Sequence, residues 1–307
     1  MKKVVSPSGR SKAIIFSILG TLAVIFIVFP LLGLVFLDGN QFGNVALIPI
    51  NGPITGNGQN YLGTGTVSSE NMVQFVKEAD ENIQVKVILL EINSPGGSAV
   101  ASDEIANAVK RAKKPVVALI REVGASGGYW VASSADYVIA NRMSITGSIG
   151  VISSYLEFSG LMDKYGVGYE RLVAGKYKDI GTPYQRLDDE EKIILQKKLD
   201  KIHDFFIQEI AKNRKLPENK VRAIATGEFF LGEEAMNLGL VDKLGDKLIA
   251  EEYLKQTYDL DEIEYITYET QETFFDLLTG VFSHFFFNIG EGFGSMLIKE
   301  SNSRLVV

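Results

Sequence analysis

The first apolar stretch of the chain, Ala13 to Leu37, carries no charged residue over 25 positions and is rich in Ile, Leu, Val and Phe. An apolar helix of about 20 residues suffices to cross the hydrocarbon core of a bilayer, so this run predicts a spanning helix. Pro30 falls inside it and is compatible with spanning. Lys2, Lys3, Arg10 and Lys12 precede the run and Asp38 follows it, which predicts a cytoplasmic N-terminus and an extracytoplasmic remainder. A cleaved signal peptide is the alternative. Such a peptide has an apolar region of about 7–15 residues and a small-x-small site. The end of this run, Val35-Phe36-Leu37, has no such site. The expectation is an uncleaved anchor.

Beyond the anchor, short continuous apolar runs alternate with stretches of helical period. Residues 45–50 read as a buried strand, 69–80 as a helix and 85–92 as a second strand ended by Asn93-Ser94-Pro95-Gly96-Gly97. Ala101, Ile105, Ala108 and Ala112 recur at spacings of four and three, which predicts a helix with one buried face. A strand at 116–120 then runs into Gly124-Ala125-Ser126-Gly127-Gly128, and 129–135 reads as a helix. This alternation predicts an α/β domain with largely parallel strands.

Further along, 156–165 reads as helical and 169–173 as extended. A long amphipathic helix is expected over 188–212, with Leu195, Leu199, Ile202 and Phe206 on one stripe. Asp188 and Glu191 resemble a capping box at its start. Short helices are expected at 218–225, 232–238 and 247–255, and a last strand at 262–268. The tail from Phe274 is dense in phenylalanine, including Phe282, Phe285, Phe286 and Phe287, and is broken by Gly290, Gly292 and Gly294. Its expected role is core packing or a subunit interface. Membrane contact and occupation of the protein's own cleft are the alternatives.

Composition narrows the chemistry. The chain has 307 residues, 46% of them hydrophobic, enough for a substantial core. Its net charge of -7 offers no basic field for a nucleic acid. It contains no cysteine, which removes disulfides, thiolate metal sites and cysteine nucleophiles. Only His203 and His284 are available as histidines, and neither lies in a strand-then-glycine turn.

Both glycine turns, at 93–97 and 124–128, follow a buried strand and open a helix. They therefore place backbone N–H groups at the carboxyl edge of the sheet, where an anion can be held. Ser126 sits in the second turn among small residues that let a substrate backbone approach. A serine hydroxyl is a weak nucleophile without a base, and no suitable histidine is present. A lysine can replace it only where burial lowers its pKa toward neutrality. Lys178, in a loop after the extended segment, is the best placed by sequence. An ordinary lysine in such a loop is a solvated surface charge.

Four pieces in order behind the anchor resolve this: Asn93-Ser94-Pro95-Gly96-Gly97, Ala125-Ser126-Gly127-Gly128-Tyr129, Thr146-Gly147-Ser148-Ile149-Gly150-Val151 and Gly175-Lys176-Tyr177-Lys178-Asp179-Ile180. Together they resemble the S49 family of serine peptidases in its short single-domain form, from about residue 45 to about 250. The resemblance implies a ClpP/crotonase-like α/β fold behind an N-terminal transmembrane helix. It also implies a Ser-Lys dyad of Ser126 as nucleophile and Lys178 as general base, with Ser148 orienting the lysine. Lys176 is the neighbour most easily mistaken for the base. The backbone N–H groups of Gly97 and Gly127 are the implied oxyanion hole, with Gly96 the substitute for Gly97. No metal or other cofactor is implied.

The expected organisation is a basic cytoplasmic segment at 1–12, the anchor at 13–37, a peptidase domain at 38–270 and the aromatic tail at 271–307. By the same resemblance the protein sits in a bacterial cell membrane and degrades apolar peptides, among them the signal peptides left after secretion. It would assemble into a homo-oligomeric ring in which Ser126 and Lys178 can come from different chains. Two rival readings are a non-catalytic membrane scaffold, disfavoured by the intact dyad positions, and a crotonase-like acyl-CoA enzyme, disfavoured by an extracytoplasmic site.

Overall fold

The computed structural model describes residues 43–58 and 65–270, together with positions 17, 18, 20, 21 and 24. The anchor expected over 13–37 and the tail at 271–307 lie almost wholly outside the described residues. Among the described residues no helix is long and apolar enough to cross a membrane.

Among residues 43–58 and 65–270, ten strands and eight helices follow in order: β1 (Val45–Asn51), β2 (Ile54–Thr55), β3 (Val67–Ser68), α1 (Ser69–Glu81), β4 (Val87–Ser94), α2 (Ala99–Arg111), β5 (Val116–Ala125), α3 (Gly127–Ser133), β6 (Tyr137–Ala140), β7 (Ile145–Gly147), α4 (Ser159–Lys164), α5 (Asp189–Asn213), α6 (Glu218–Ile224), β8 (Phe229–Leu231), α7 (Gly232–Leu238), β9 (Lys243–Leu244), α8 (Lys247–Tyr258) and β10 (Tyr265–Thr267). The main sheet runs β10-β1-β4-β5-β6-β9, all parallel. Beyond the end of β6, β7 takes up pairing with β5, and β8 pairs antiparallel with β7.

The continuous apolar runs of β1, β4 and β5 are explained by burial on both faces. Ile48, Ile88, Leu90, Ala118 and Ile120 face one core, which also holds Met72, Ile105 and Phe206 from the helices. Val45, Val87, Leu89, Val117 and Leu119 face the other, against Ala250 and Leu254 of α8. Alternate residues thus serve opposite cores, as the period of two in a strand requires.

The long helix begins where the sequence marks it. Asp188 accepts the Glu191 N–H at 2.7 Å, and the Glu191 carboxylate accepts the Asp188 N–H at 3.0 Å. On its expected stripe Phe206 is fully buried, whereas Leu195, Leu199 and Ile202 are only half-buried because they border open clefts.

Three expectations need correction. β5 continues to Ala125 rather than ending at residue 120, because β7 pairs with its last residues. The helix expected at 156–165 is confined to Ser159–Lys164. The Phe158 N–H is taken by the Pro183 carbonyl at 2.8 Å, and Glu157 accepts the Ser159 N–H, so the helix cannot start earlier. Residues 169–173 form no strand.

The last two lie in an arm, residues 151–190, in which no residue is buried. Its local contacts are internal. Tyr169 and Tyr184 rings sit 5.4 Å apart, and Arg171 pairs with Asp179 at 2.6 Å.

Candidate active site

The strands β4 and β5 lie side by side and both end at the carboxyl edge, so their two turns meet there. Ser126 occupies the N-cap of α3 with φ 51° and ψ -123°. A non-glycine residue at such angles costs on the order of 1–3 kcal/mol and persists only where its surroundings hold it. Here the Ser126 N–H donates to the Gly147 carbonyl at 2.8 Å, and its own carbonyl accepts the Trp130 N–H at 2.9 Å. The sharp strand-to-helix turn turns the serine side chain out of the sheet and into a cleft.

The other turn is locked against β2. Ile54 donates its N–H to the Gly96 carbonyl at 2.8 Å and accepts the Ser98 N–H at 2.9 Å. Those two bonds lie on one side of the turn, so the Gly97 N–H points to the other, toward α3. The space there is closed to side chains: a Cβ on Gly96 would meet the Gly127 nitrogen at 2.5 Å, and one on Gly127 would stand 3.2 Å from the Gly97 nitrogen. The backbone nitrogens of Gly97 and Gly127 therefore border a common space beside Ser126. Gly127 is the first residue of α3, where helix N–H groups lack intrahelical acceptors. Such a pair can hold a developing oxyanion.

Ser148 lines the same cleft, with φ 48°. Its N–H donates to the Glu228 carbonyl at 2.9 Å and its hydroxyl to the Gly227 carbonyl at 3.1 Å. Apart from Ser98, the rest of the cleft, of about 530 Å³, is lined by apolar side chains and glycines, with Ile152, Leu199, Ile202 and Phe206 along its walls. Trp130, one helical turn beyond Ser126, stacks on Phe206 at 4.6 Å and 15° and forms part of the floor. Trp130 and the Gly227-Glu228 segment are cleft residues that no sequence motif above marks. The only tryptophan, four residues after a glycine-flanked serine, was an available signal; the contact of 227–228 with 148 spans too many residues to carry one.

Lys178 is elsewhere. It is exposed, in a turn of the arm, with its N–H on the Gly175 carbonyl at 3.0 Å, and it does not border the cleft of its own chain. Arg171 braces the turn from below, reaching both Asp179 carboxylate oxygens at 2.6 Å and the Lys176 carbonyl at 3.0 Å. The guanidinium holds the Asp179 carboxyl below its ordinary range. Lys176 is engaged by Glu190, which, with Tyr177, raises its pKa above that of an ordinary lysine. Among the described residues the Lys178 amine has no hydrogen-bonded or ionic partner.

A serine on a strained elbow, two converging N–H groups and an apolar peptide-sized cleft define a hydrolase of the serine type. Comparison with known proteins gives the family. The pattern of peptidase family S49 matches residues 108–261. The chain is 37% identical over 237 residues to a protein of Methanocaldococcus jannaschii named as a protease, covering 76% of each. It is 33% identical over 242 residues to an Enterococcus faecium protein named as a signal peptide peptidase, covering 78% of this chain and 70% of the relative. Protease 4 of Haemophilus influenzae matches at 30% over 209 residues, which is 67% of this chain and 33% of that longer protein. The chain belongs to peptidase family S49, and it is a serine peptidase.

Proposed function

We propose that this peptidase is held in a bacterial membrane by residues 13–37 and cleaves apolar peptides outside the cytoplasm with a Ser126–Lys178 dyad completed between neighbouring chains. The observation that carries the reading is the strained Ser126 elbow beside the Gly97 and Gly127 N–H groups, in a cleft with apolar walls. The Ser126 hydroxyl attacks the scissile carbonyl while the Lys178 amine takes its proton. The two glycine N–H groups receive the oxyanion, and the protonated amine then passes its proton to the leaving nitrogen. Water hydrolyses the acyl-enzyme by the same route.

Three features support a lysine from a second chain. Lys178 rides on an arm that buries none of its residues, so the arm is suited to lie on another molecule. Lys176 is already committed to Glu190, whereas Lys178 is not. Ser148 lines the Ser126 cleft and can turn its hydroxyl from Gly227 to an arriving amine. Covering the turn by a neighbour would strip water from that amine, the condition under which a lysine becomes a base. The apolar walls suit remnant signal peptides, consistent with the name borne by the Enterococcus faecium relative.

The test is cleavage of a fluorogenic peptide with an apolar residue before the scissile bond. Ser126→Ala and Lys178→Ala should each lose nearly all turnover and to similar extents, since dyad members act as a unit. Lys176→Ala should retain it. Loss with Lys176→Ala and retention with Lys178→Ala would move the base, and cleavage by Ser126→Ala would end the reading.

A further inference from the structure

The neighbours of Lys178 are tied down on both sides. Arg171 reaches the Asp179 carboxylate with two parallel bonds, Nε to Oδ2 and Nη2 to Oδ1 at 2.6 Å each, and the Lys176 carbonyl with a third, from Nη2 at 3.0 Å. One planar guanidinium thus grips the residue after Lys178 and the second residue before it. Glu190, in the first turn of α5, accepts both the Lys176 amine and the Tyr177 hydroxyl. Backbone bonds close the loop, the Lys178 N–H to the Gly175 carbonyl at 3.0 Å and the Thr182 N–H to the Asp179 carbonyl at 2.9 Å. Within residues 176–179, the Lys178 side chain is the one that takes part in none of these bonds.

The same contacts arrange the charges. An uncompensated carboxylate beside a lysine favours the charged amine, the form that cannot accept a proton. Asp179 is such a carboxylate, and Arg171 matches its charge, holding the Asp179 carboxyl below its ordinary range. The other charged and titratable groups around the turn are Lys176, Tyr177 and Tyr169 of the arm and Glu190 and Glu191 of α5. Glu190 is matched by Lys176 and Tyr177, and the buried Glu191 carboxylate caps the Asp188 N–H. Asp179 is therefore the adjacent carboxylate whose release would bear on Lys178.

We infer that Arg171 is a positioning residue for Lys178: its guanidinium fork fixes the turn on both sides of that lysine and keeps the Asp179 carboxylate from pairing with its amine. This rests on the reading that Lys178 is the base, and it adds the group that prepares it. A lysine at position 171 would match the charge of Asp179 without the planar fork that spans the turn.

The titration of the Lys178 amine is read directly by competition acetylation of the full-length Ser126→Ala protein in detergent across pH. Mass spectrometry quantifies the product, with Lys178 resolved from Lys176 by fragmentation. Arg171→Gln should move the midpoint up by about half a pH unit or more, the effect of one uncompensated charge nearby in a largely solvated setting. Adding Asp179→Asn should return it, because the carboxylate that causes the shift is gone. Arg186→Gln, which removes an equal charge elsewhere in the arm, should leave the midpoint in place. With Ser126 intact, Arg171→Gln and Arg171→Lys should each lower kcat about tenfold or more, with KM little changed and assembly retained. An unmoved midpoint in Arg171→Gln, a shift that survives Asp179→Asn, or an undiminished kcat where Lys178→Ala is inactive overturns the inference. The midpoint is read without turnover, so cleavage by Lys178→Ala would remove the dyad and leave the effect of Arg171 on the amine standing.

Discussion

The backbone N–H of Ser126 donates to the Gly147 carbonyl at 2.8 Å, so the strand that carries Ser148 also holds the elbow that carries Ser126. Thr146 strengthens the same junction, its hydroxyl donating to the Gly124 carbonyl at 2.7 Å within the core. The two serines are thereby fixed relative to one another by buried backbone, whereas Lys178 stands on a surface arm. The Ser126 side of the candidate site is preformed in one chain, and in the proposed dyad the base would be brought by assembly.

In the proposed dyad Ser148 is a positioning residue. Ser148→Ala should lower kcat by about tenfold or more, equivalent to about 1.4 kcal/mol, with KM little changed and thermal stability retained. A matching fall in stability would instead indicate that its bond to Gly227 is merely structural.

Gly97→Ala should damage both fold and turnover. A Cβ there would lie 2.1 Å from the Ile54 carbonyl oxygen, a backbone atom that β2 holds in place. Overpacking of this kind costs about 1–3 kcal/mol. Alanine keeps the backbone N–H, so turnover falls only as far as the clash misaims that proposed donor, up to the 2.7–4 kcal/mol or so in the barrier that a lost oxyanion donor costs. Denaturant unfolding beside peptide cleavage separates the two, and a variant native in both would remove Gly97 from the site.

Trp130→Ala should destabilise by about 3–5 kcal/mol, since the indole is buried and stacked on Phe206. Trp130→Phe keeps an aromatic on the cleft floor and should lose much less. Chemical denaturation of both variants decides this, and equal stabilities would show that the stack contributes nothing.

Acid should loosen the arm before the core. Arg171 holds the Asp179 carboxyl below its ordinary pKa, so this ion pair contributes fully above the ordinary carboxylate range and is lost as pH falls through the lowered value. Glu190 is depressed in the same direction, first by Lys176 and then by Tyr177. The hydrogen-exchange protection of residues 171–181, taken relative to the intrinsic rate at each pH, should stay constant from neutral pH to about pH 5 and fall below about pH 4. In Arg171→Gln protection should already be lower at neutral pH and should depend less on acid, and identical profiles would contradict the role of the pair.

The parallel core was legible because β1, β4 and β5 are continuous apolar runs ended by glycine, a pattern that buried strands between helices require. The long helix was legible from Asp188 and Glu191. β6, β7 and β8 were not, since strands of three or four residues such as Phe229–Leu231 hold too few positions for an alternation to emerge. The pairing of β7 with β8 comes from contacts across more than 80 residues. Ser126, Gly97 and Gly127 announced themselves by the turn chemistry and by a family resemblance. The exposure of Lys178 is what a lysine in a polar loop ordinarily shows, whereas a base role for it is implied by the family resemblance alone.

The most direct test of the account is complementation between two inactive chains. Full-length Ser126→Ala and Lys178→Ala are each prepared inactive, mixed under conditions of subunit exchange and assayed on the apolar fluorogenic peptide. A dyad shared between neighbours predicts recovered cleavage, because some contacts in a mixed ring unite an intact Ser126 with an intact Lys178. Persistent inactivity in mixed assemblies, verified to contain both chains, would contradict it.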